Sequence, residues 1–396
     1  MADDERQKKY AVPIYGVAWV PHCAIRSASK QMPDGDGGSK DTADDPSSLP
    51  AHNYVALAGG GGEGRSGIPN AILLVQVDFN SYLLSNQPVA RLGTGTDLPY
   101  RIAAHPGGEG LICSFPENCR WFEWDAIKKS DDSALTLKAS ERVLKHLEDI
   151  GQQLALTFNS EGSLLAVGGE NGKLRVFKWP SMEIIIDEMD DDSVKDLDFS
   201  PDGKFLASVG SGCCRVWNVS TLASVISLQK KDDEKFGFCR FSRSSDHNQT
   251  IYVTATRAQG GSIVEWSTSS WERMRSKLVA GEPISAFNVS ADGKLLAIGT
   301  SEGNVRILRA GNMGALKTIK KAHIGPTTAL AFSDDSRALL SVSMDSSARV
   351  TLITDNGSKN GLSLWIILFV ILLAMAVYYA KHEGKLPWLP DFLVKL

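Results

Sequence analysis

Phe199-Ser200-Pro201-Asp202-Gly203, followed by Lys204 and the apolar run Phe205-Leu206-Ala207-Ser208, is the stretch that decides the fold. It reads as a strand end, a reversal and a second strand. Proline presets the second position of the turn and glycine takes the last, so the chain can reverse tightly. The same pattern recurs at Phe158-Asn159-Ser160-Glu161-Gly162, Val289-Ser290-Ala291-Asp292-Gly293 and Phe332-Ser333-Asp334-Asp335-Ser336. Degenerate copies begin at Phe241-Ser242, Ala104-His105-Pro106-Gly107-Gly108 and Trp19-Val20-Pro21. A short apolar run follows the clear copies, as in Leu164–Val167, Leu295–Ile298 and Leu339–Val342, and then another strand, such as Leu174–Trp179, Cys214–Trp217, Ile263–Trp266 or Val305–Leu308.

The anchors at 158, 199, 241, 289 and 332 lie 41, 42, 48 and 43 residues apart. That is the period of a four-stranded blade in WD-repeat propellers. Counting from Trp19 gives seven units, so the fold class is all-β, a seven-bladed WD-repeat-type β-propeller. The seventh unit runs out before its fourth strand, while the first has residues to spare before Tyr15. Residues Lys8 to Val12 are expected to supply the missing outer strand and close the ring. Closure leaves only short, protected sheet edges.

Residues 362–380 are 19 consecutive uncharged residues, largely apolar, with Tyr378 and Tyr379 near the end. At about 1.5 Å per residue they reach about 28 Å, close to the hydrocarbon thickness of a bilayer. The two tyrosines sit where an interfacial aromatic belt would be. The chain is therefore expected to comprise a propeller over 1–355, a linker at 356–361, one C-terminal transmembrane helix at 362–380 and a short tail at 381–396. No apolar signal segment is seen in Met1–Lys9, so the propeller is placed in the cytosol and the tail in the lumen. The flanking charges, Lys359 against Lys381, His382 and Lys385, do not themselves favour that orientation.

The net charge of -4 is modest and the basic residues are scattered, which argues against nucleic acid as a partner. Cysteines at 23, 113, 119, 213, 214 and 239 form no Cys-x-x-Cys pair and are read as reduced thiols. Cys213 and Cys214 should lie on opposite faces of one strand. Residues 28–52 read as a disordered acidic insertion in the first blade. The acidic run Asp187–Asp192 reads as solvated surface or as part of a binding rim.

One segment does not fit the repeat. Residues 59–70, Gly59-Gly60-Gly61-Gly62-Glu63-Gly64-Arg65-Ser66-Gly67-Ile68-Pro69-Asn70, place six glycines within nine residues directly behind the strand-like run Tyr54–Ala58. Glycine loses the most backbone freedom on folding, so such a run suggests that something approaches the backbone closely. Gly59-x-x-x-x-Gly64-Arg65-Ser66 approaches a phosphate-binding loop, but arginine stands where lysine is needed. The next residues, Ala71–Val77, read as a strand rather than as a helix whose N-terminus would face an anion. Two readings remain: a flexible hairpin between the second and third strands of blade one, or an ordered protrusion. In the second, backbone carbonyls of Gly59, Gly60 and Gly61 with the Asn70 side chain would cage a hard cation. Glu63, Arg65 and Ile68 would then meet a protein partner. The seven histidines match no triad or metal motif, and no bond-making residue is assigned.

The combination of seven blades, a Gly-Gly-Gly-Gly-x-x-x-x-Gly-Ile-x-Asn loop in blade one and a C-terminal membrane segment resembles the Sec-twelve family, in its plant-like form. The resemblance covers the whole chain. It implies a guanine nucleotide exchange factor, not an enzyme, for the Sar-type small GTPase at the endoplasmic reticulum, starting COPII coat assembly for transport to the Golgi. It also implies that the loop is ordered around a potassium ion and engages the switch regions of the GTPase. The positions that match are Gly59, Gly60, Gly61, Gly62, Gly67, Ile68 and Asn70, while Glu63 to Ser66 fall at the variable tip. No nucleotide would bind the chain directly. The alternative is a membrane-anchored WD-repeat scaffold that promotes cargo exit without exchange.

Overall fold

Strand Phe205–Val209 buries Leu206, Ala207 and Val209. It pairs antiparallel with Asp196–Phe199 on one side and Cys213–Asn218 on the other. The turn that starts this sheet is fastened by a serine. Ser200 Oγ accepts from the Phe205 amide at 2.9 Å and donates to Asp202 Oδ1 at 2.6 Å, while Gly203 takes φ 69°. Ser290 and Ser333 repeat these bonds with Leu295 and Asp292, and with Ala338 and Asp335. A side-chain oxygen that satisfies a turn amide competes with no ladder bond, which is why serine recurs at this point of the repeat.

The computed structural model describes residues 6–25, 53–64, 66–129, 132–142, 144–147, 149–190, 192–243 and 250–353, with 369, 371–376 and 378–379. Residues up to Ile353 form one unit and 354–396 a second. The first unit contains seven antiparallel sheets. Blade one runs Ile14–Trp19, Asn53–Gly59 and Asn70–Asp78, and its outer edge is shared by Leu83–Leu84 and Ala90–Gly95. Blade seven runs Thr327–Phe332, Ala338–Ser343 and Ser347–Leu352, and its fourth strand is Gln7–Lys9.

Ring closure thus uses the N-terminal segment, as expected, but begins one residue earlier and ends sooner than Lys8–Val12. Gln7, Lys8 and Lys9 face Arg349, Ala348 and Ser347. Ala11 turns the chain at φ 58°, and Tyr10 and Val12 instead enter the core between blades seven and one.

Every core cluster lies between two consecutive blades, and side-chain parity explains how. In Asn53–Gly59, Val55 and Leu57 pack toward blade seven, while Tyr54, Ala56 and Ala58 pack toward blade two. Successive side chains of a strand point to opposite faces, so a strand buried on both sides is apolar throughout. Cys214 is buried and Cys213 half-buried, matching opposite faces, and all six cysteines are free.

Antiparallel pairing puts the turn between the second and third strands of each blade on one face of the ring, with the connections from blade to blade. We call this the loop face, because Gly60–Pro69 lies on it. Strand Ser347–Leu352 starts on the loop face and ends on the opposite one.

Asp187, Glu188 and Met189 are exposed, as a solvated surface requires, but carboxylates of the run Asp187–Asp192 are also paired. Asp187 lies in strand Glu183–Met189 and pairs with Arg175 at 3.0 Å, and Asp190 pairs with Arg215 at 3.2 Å. Asp192 accepts from the Gly212 amide at 3.2 Å. The run is committed to neighbouring strands and turns at these three positions.

The insertion at 28–52, the linker at 356–361 and the tail at 381–396 lie outside the described residues, as does most of 362–380. Residues 369, 371–376 and 378–379 are helical. Among the described residues no helix is long and apolar enough to cross a membrane.

Candidate functional site

Asn53–Gly59 and Asn70–Asp78 stay in register up to Gly59 opposite Ala71, so the excursion from the sheet is Gly60–Pro69. Its base is crowded. A Cβ on Gly60 would stand 2.2 Å from Asn70 Oδ1, and one on Gly61 would stand 2.2 Å from Ser66 Oγ. Gly59 sits as close to the Pro13 carbonyl, and the Gly60 amide donates to that carbonyl at 3.0 Å. Gly62 and Gly67 have φ of 76° and 71°, the left-handed region that favours glycine. The glycines therefore let the backbone fold onto itself and onto the 10–13 connection.

Asn70 holds this fold. Its side chain is buried, and Oδ1 accepts from the Gly62 amide at 2.9 Å. Its Nδ2 donates to the carbonyls of Thr96 at 2.9 Å, Gly95 at 3.1 Å and Gly62 at 3.3 Å. One amide thus ties the loop to the turn that leaves blade one. That turn is itself fixed, since Thr94 Oγ1 donates to the Asp97 carbonyl at 2.7 Å and the Asp97 carboxylate pairs with Arg120 of blade two. The Arg120 guanidinium lies over the Phe115 ring at 4.6 Å.

The tip is free of such ties. Glu63, Gly64, Ser66, Gly67, Ile68 and Pro69 are exposed, with the Ile68 amide donating to Ser66 Oγ at 3.3 Å. Arg65 lies outside the described residues. Past the tip the chain re-enters strand Asn70–Asp78, so no helix N-terminus faces the loop.

Around Asn70 the oxygens are uncharged: the carbonyls of Gly62, Gly95 and Thr96, which accept from its Nδ2, and its own Oδ1, which accepts from the Gly62 amide. Neutral oxygens suit a cation of low charge density better than a transition metal. Only Asn70 belongs both to this group and to the set expected from sequence. Gly95 and Thr96 escaped sequence reasoning because they lie 25 and 26 residues beyond Asn70 and carry no motif. Among the described residues no group of three or more His, Cys, Asp or Glu side chains is placed to hold a metal.

Beside the loop, Tyr15 occupies a bulge opposite the Gly59 end of its partner strand and packs against Tyr100 at 5.8 Å. Sequence reading also passed over His323. It is fully buried, with Nδ1 at 2.6 Å from Ser347 Oγ and Nε2 at 2.8 Å from Ser341 Oγ. Burial lowers its pKa to about 4, so it is a neutral structural tie at physiological pH. The signal was its place before a blade's first strand, with Asp345 in that blade's next turn but one.

The profile of the WD domain, G-beta repeat, matches residues 186–218 and 314–351. The chain is 49% identical over 357 residues to SEC12-like protein 2 of Arabidopsis thaliana, spanning 90% of each. It is 28% identical to SEC12-like protein 1 of the same plant over 82% of each chain. The guanine nucleotide-exchange factor SEC12 of Mus musculus is 23% identical, covering 81% of this chain and 90% of that protein.

Proposed function

The chain belongs to the SEC12-like family of WD-repeat proteins, and from that premise we propose that it is a guanine nucleotide exchange factor for a small GTPase of the Sar type. The observation that carries this reading is the glycine loop: a base pinned by Asn70 and an exposed tip formed by Glu63, Gly67 and Ile68. Exchange needs no bond-making residue. A protein that binds the nucleotide-free GTPase more tightly than the loaded form weakens nucleotide binding by the same factor. A loop with a fixed base suits this work, because an already ordered backbone loses little entropy when the partner docks.

A potassium ion would be held by the carbonyls of Gly59, Gly60 and Gly61 with the Asn70 amide oxygen, and would keep the loop in shape. The apolar segment at 362–380 would anchor the propeller on the cytosolic side of the endoplasmic reticulum, where exchange would start COPII assembly.

Nucleotide release from a Sar-type GTPase tests the reading. The wild-type chain should accelerate release, and Asn70→Ala should lose at least about tenfold, the scale of a removed interface anchor. Replacing potassium by lithium should slow wild-type exchange and leave Asn70→Ala unaffected. A wild-type chain that binds the GTPase but leaves release unchanged would favour the scaffold reading instead.

A further inference from the structure

We infer that the exchange surface extends from the glycine loop onto blade seven, where Ile324 and Met344 form a second, apolar foothold for the same small GTPase. This rests on the proposed exchange function and names further contacts for it.

The need for more surface follows from size. A stable protein interface covers roughly 800 Å² on each partner, about 20–30 residues a side. The described tip offers six residues, of which Ile68 is the one large aliphatic side chain, and it is only 37% exposed. A factor that must outcompete a nucleotide needs more contact area on the same face.

Ile324 is 83% exposed, more than any other large apolar side chain among the described residues, and Met344 is 46% exposed. Isolated surface aliphatics are common and mean little by themselves. Three features set these two apart. First, both lie on the loop face, Ile324 in the connection between blades six and seven and Met344 in the turn after Ala338–Ser343. Second, they are joined to the glycine loop by backbone hydrogen bonds. The Ser346 carbonyl accepts from the Tyr10 amide at 3.0 Å, and three residues later the Pro13 carbonyl accepts from Gly60 at 3.0 Å. Third, their backbone is held rigid. The Ile324 amide donates to Asp345 Oδ2 at 2.7 Å, Asp345 Oδ1 accepts from the Ser347 amide at 2.9 Å, and His323 is buried between two serines. An exposed apolar side chain on a fixed backbone is pre-organised for docking.

The test uses the full chain in detergent, with Ile324→Glu, Met344→Glu and the double variant. Initial rates of nucleotide release are measured over a range of GTPase concentrations. The double variant should raise the half-saturating GTPase concentration by about tenfold, while the maximal rate stays within about twofold of wild type. Ile324→Ser, which adds no charge, should shift it in the same direction, and thermal unfolding should be unchanged because both side chains are exposed. Unchanged half-saturation in an active wild-type background overturns the inference and leaves the exchange reading standing. So does a wild-type dimer that the double variant converts to monomer without altering exchange, since the patch would then serve a second copy of this chain. If the wild type itself does not accelerate release, both the exchange reading and this extension fall.

Discussion

Asn70 and His323 are both buried polar residues, yet they do different work. Asn70 spends its amide on backbone groups of two separate segments, so it fixes the position of a loop. His323 spends its ring on two serines of one blade, so it fixes the blade. The histidine carries a consequence for pH. Its folded pKa lies at about 4, below the ordinary 6.5, chiefly because burial disfavours the imidazolium. Asp345 at 3.9 Å opposes that shift and Arg349 reinforces it. Between these two values the unfolded chain binds a proton that the folded chain refuses, so stability is full above about pH 6.5 and falls progressively toward about pH 4. Urea unfolding at pH 7.5 and 5.0 should show this loss, and His323→Gln should reduce the difference between the two. Equal pH dependence in both proteins would show that His323 titrates freely. Neither role is visible in the sequence around these residues, because Gly95 and Thr96 lie 25 and 26 residues beyond Asn70 and the serines that hold His323 lie in later strands.

At the scale of the strand, the repeat was legible because turn chemistry and apolar runs recur at a fixed period. Ser200, Ser290 and Ser333 mark equivalent turns, and the strands after them occupy equivalent places. What the sequence left open was the first blade, where Leu83–Leu84 and Ala90–Gly95 divide one outer edge between them. Broken edges carry too little periodicity to read. The borrowed outer strand of blade seven was legible by subtraction, though not its exact span, because the positive φ at Ala11 is carried by a residue with no turn signature. Deleting residues 1–9 should uncover the edge of Ser347–Leu352 while retaining Tyr10 and Val12 in the core. The expected outcome is a fall in Tm of about 2–5 °C, with new self-association by light scattering. An unchanged Tm would mean that Gln7–Lys9 adds nothing to closure.

At the scale of the molecule, a core cluster lies between each pair of consecutive blades among the described residues, and one face of that ring carries the glycine loop. The topology proposed for the anchor can be checked through glycosylation sequons, of which Asn218-Val219-Ser220 and Asn288-Val289-Ser290 lie among the described residues. Asn288 cannot serve, because its side chain donates to the Leu330 carbonyl at 2.8 Å in the wall of the ring. Asn218 is partly exposed and caps the Ser220 and Thr221 amides, so it is the informative site among the described residues. It should carry no glycan in native membranes when the propeller is cytosolic; a glycan there would place the propeller in the lumen. The double pairing of Ser347–Leu352 has a mechanical consequence. A pull applied at Ile353 along the axis of that strand tests both of its pairings at once. Two rows of hydrogen bonds, to Ala338–Ser343 and to Gln7–Lys9, then bear the load in shear together rather than peeling one by one. Gln7–Lys9 thus brace the Ser347–Arg349 half of that strand against tension, the half nearest the loop face.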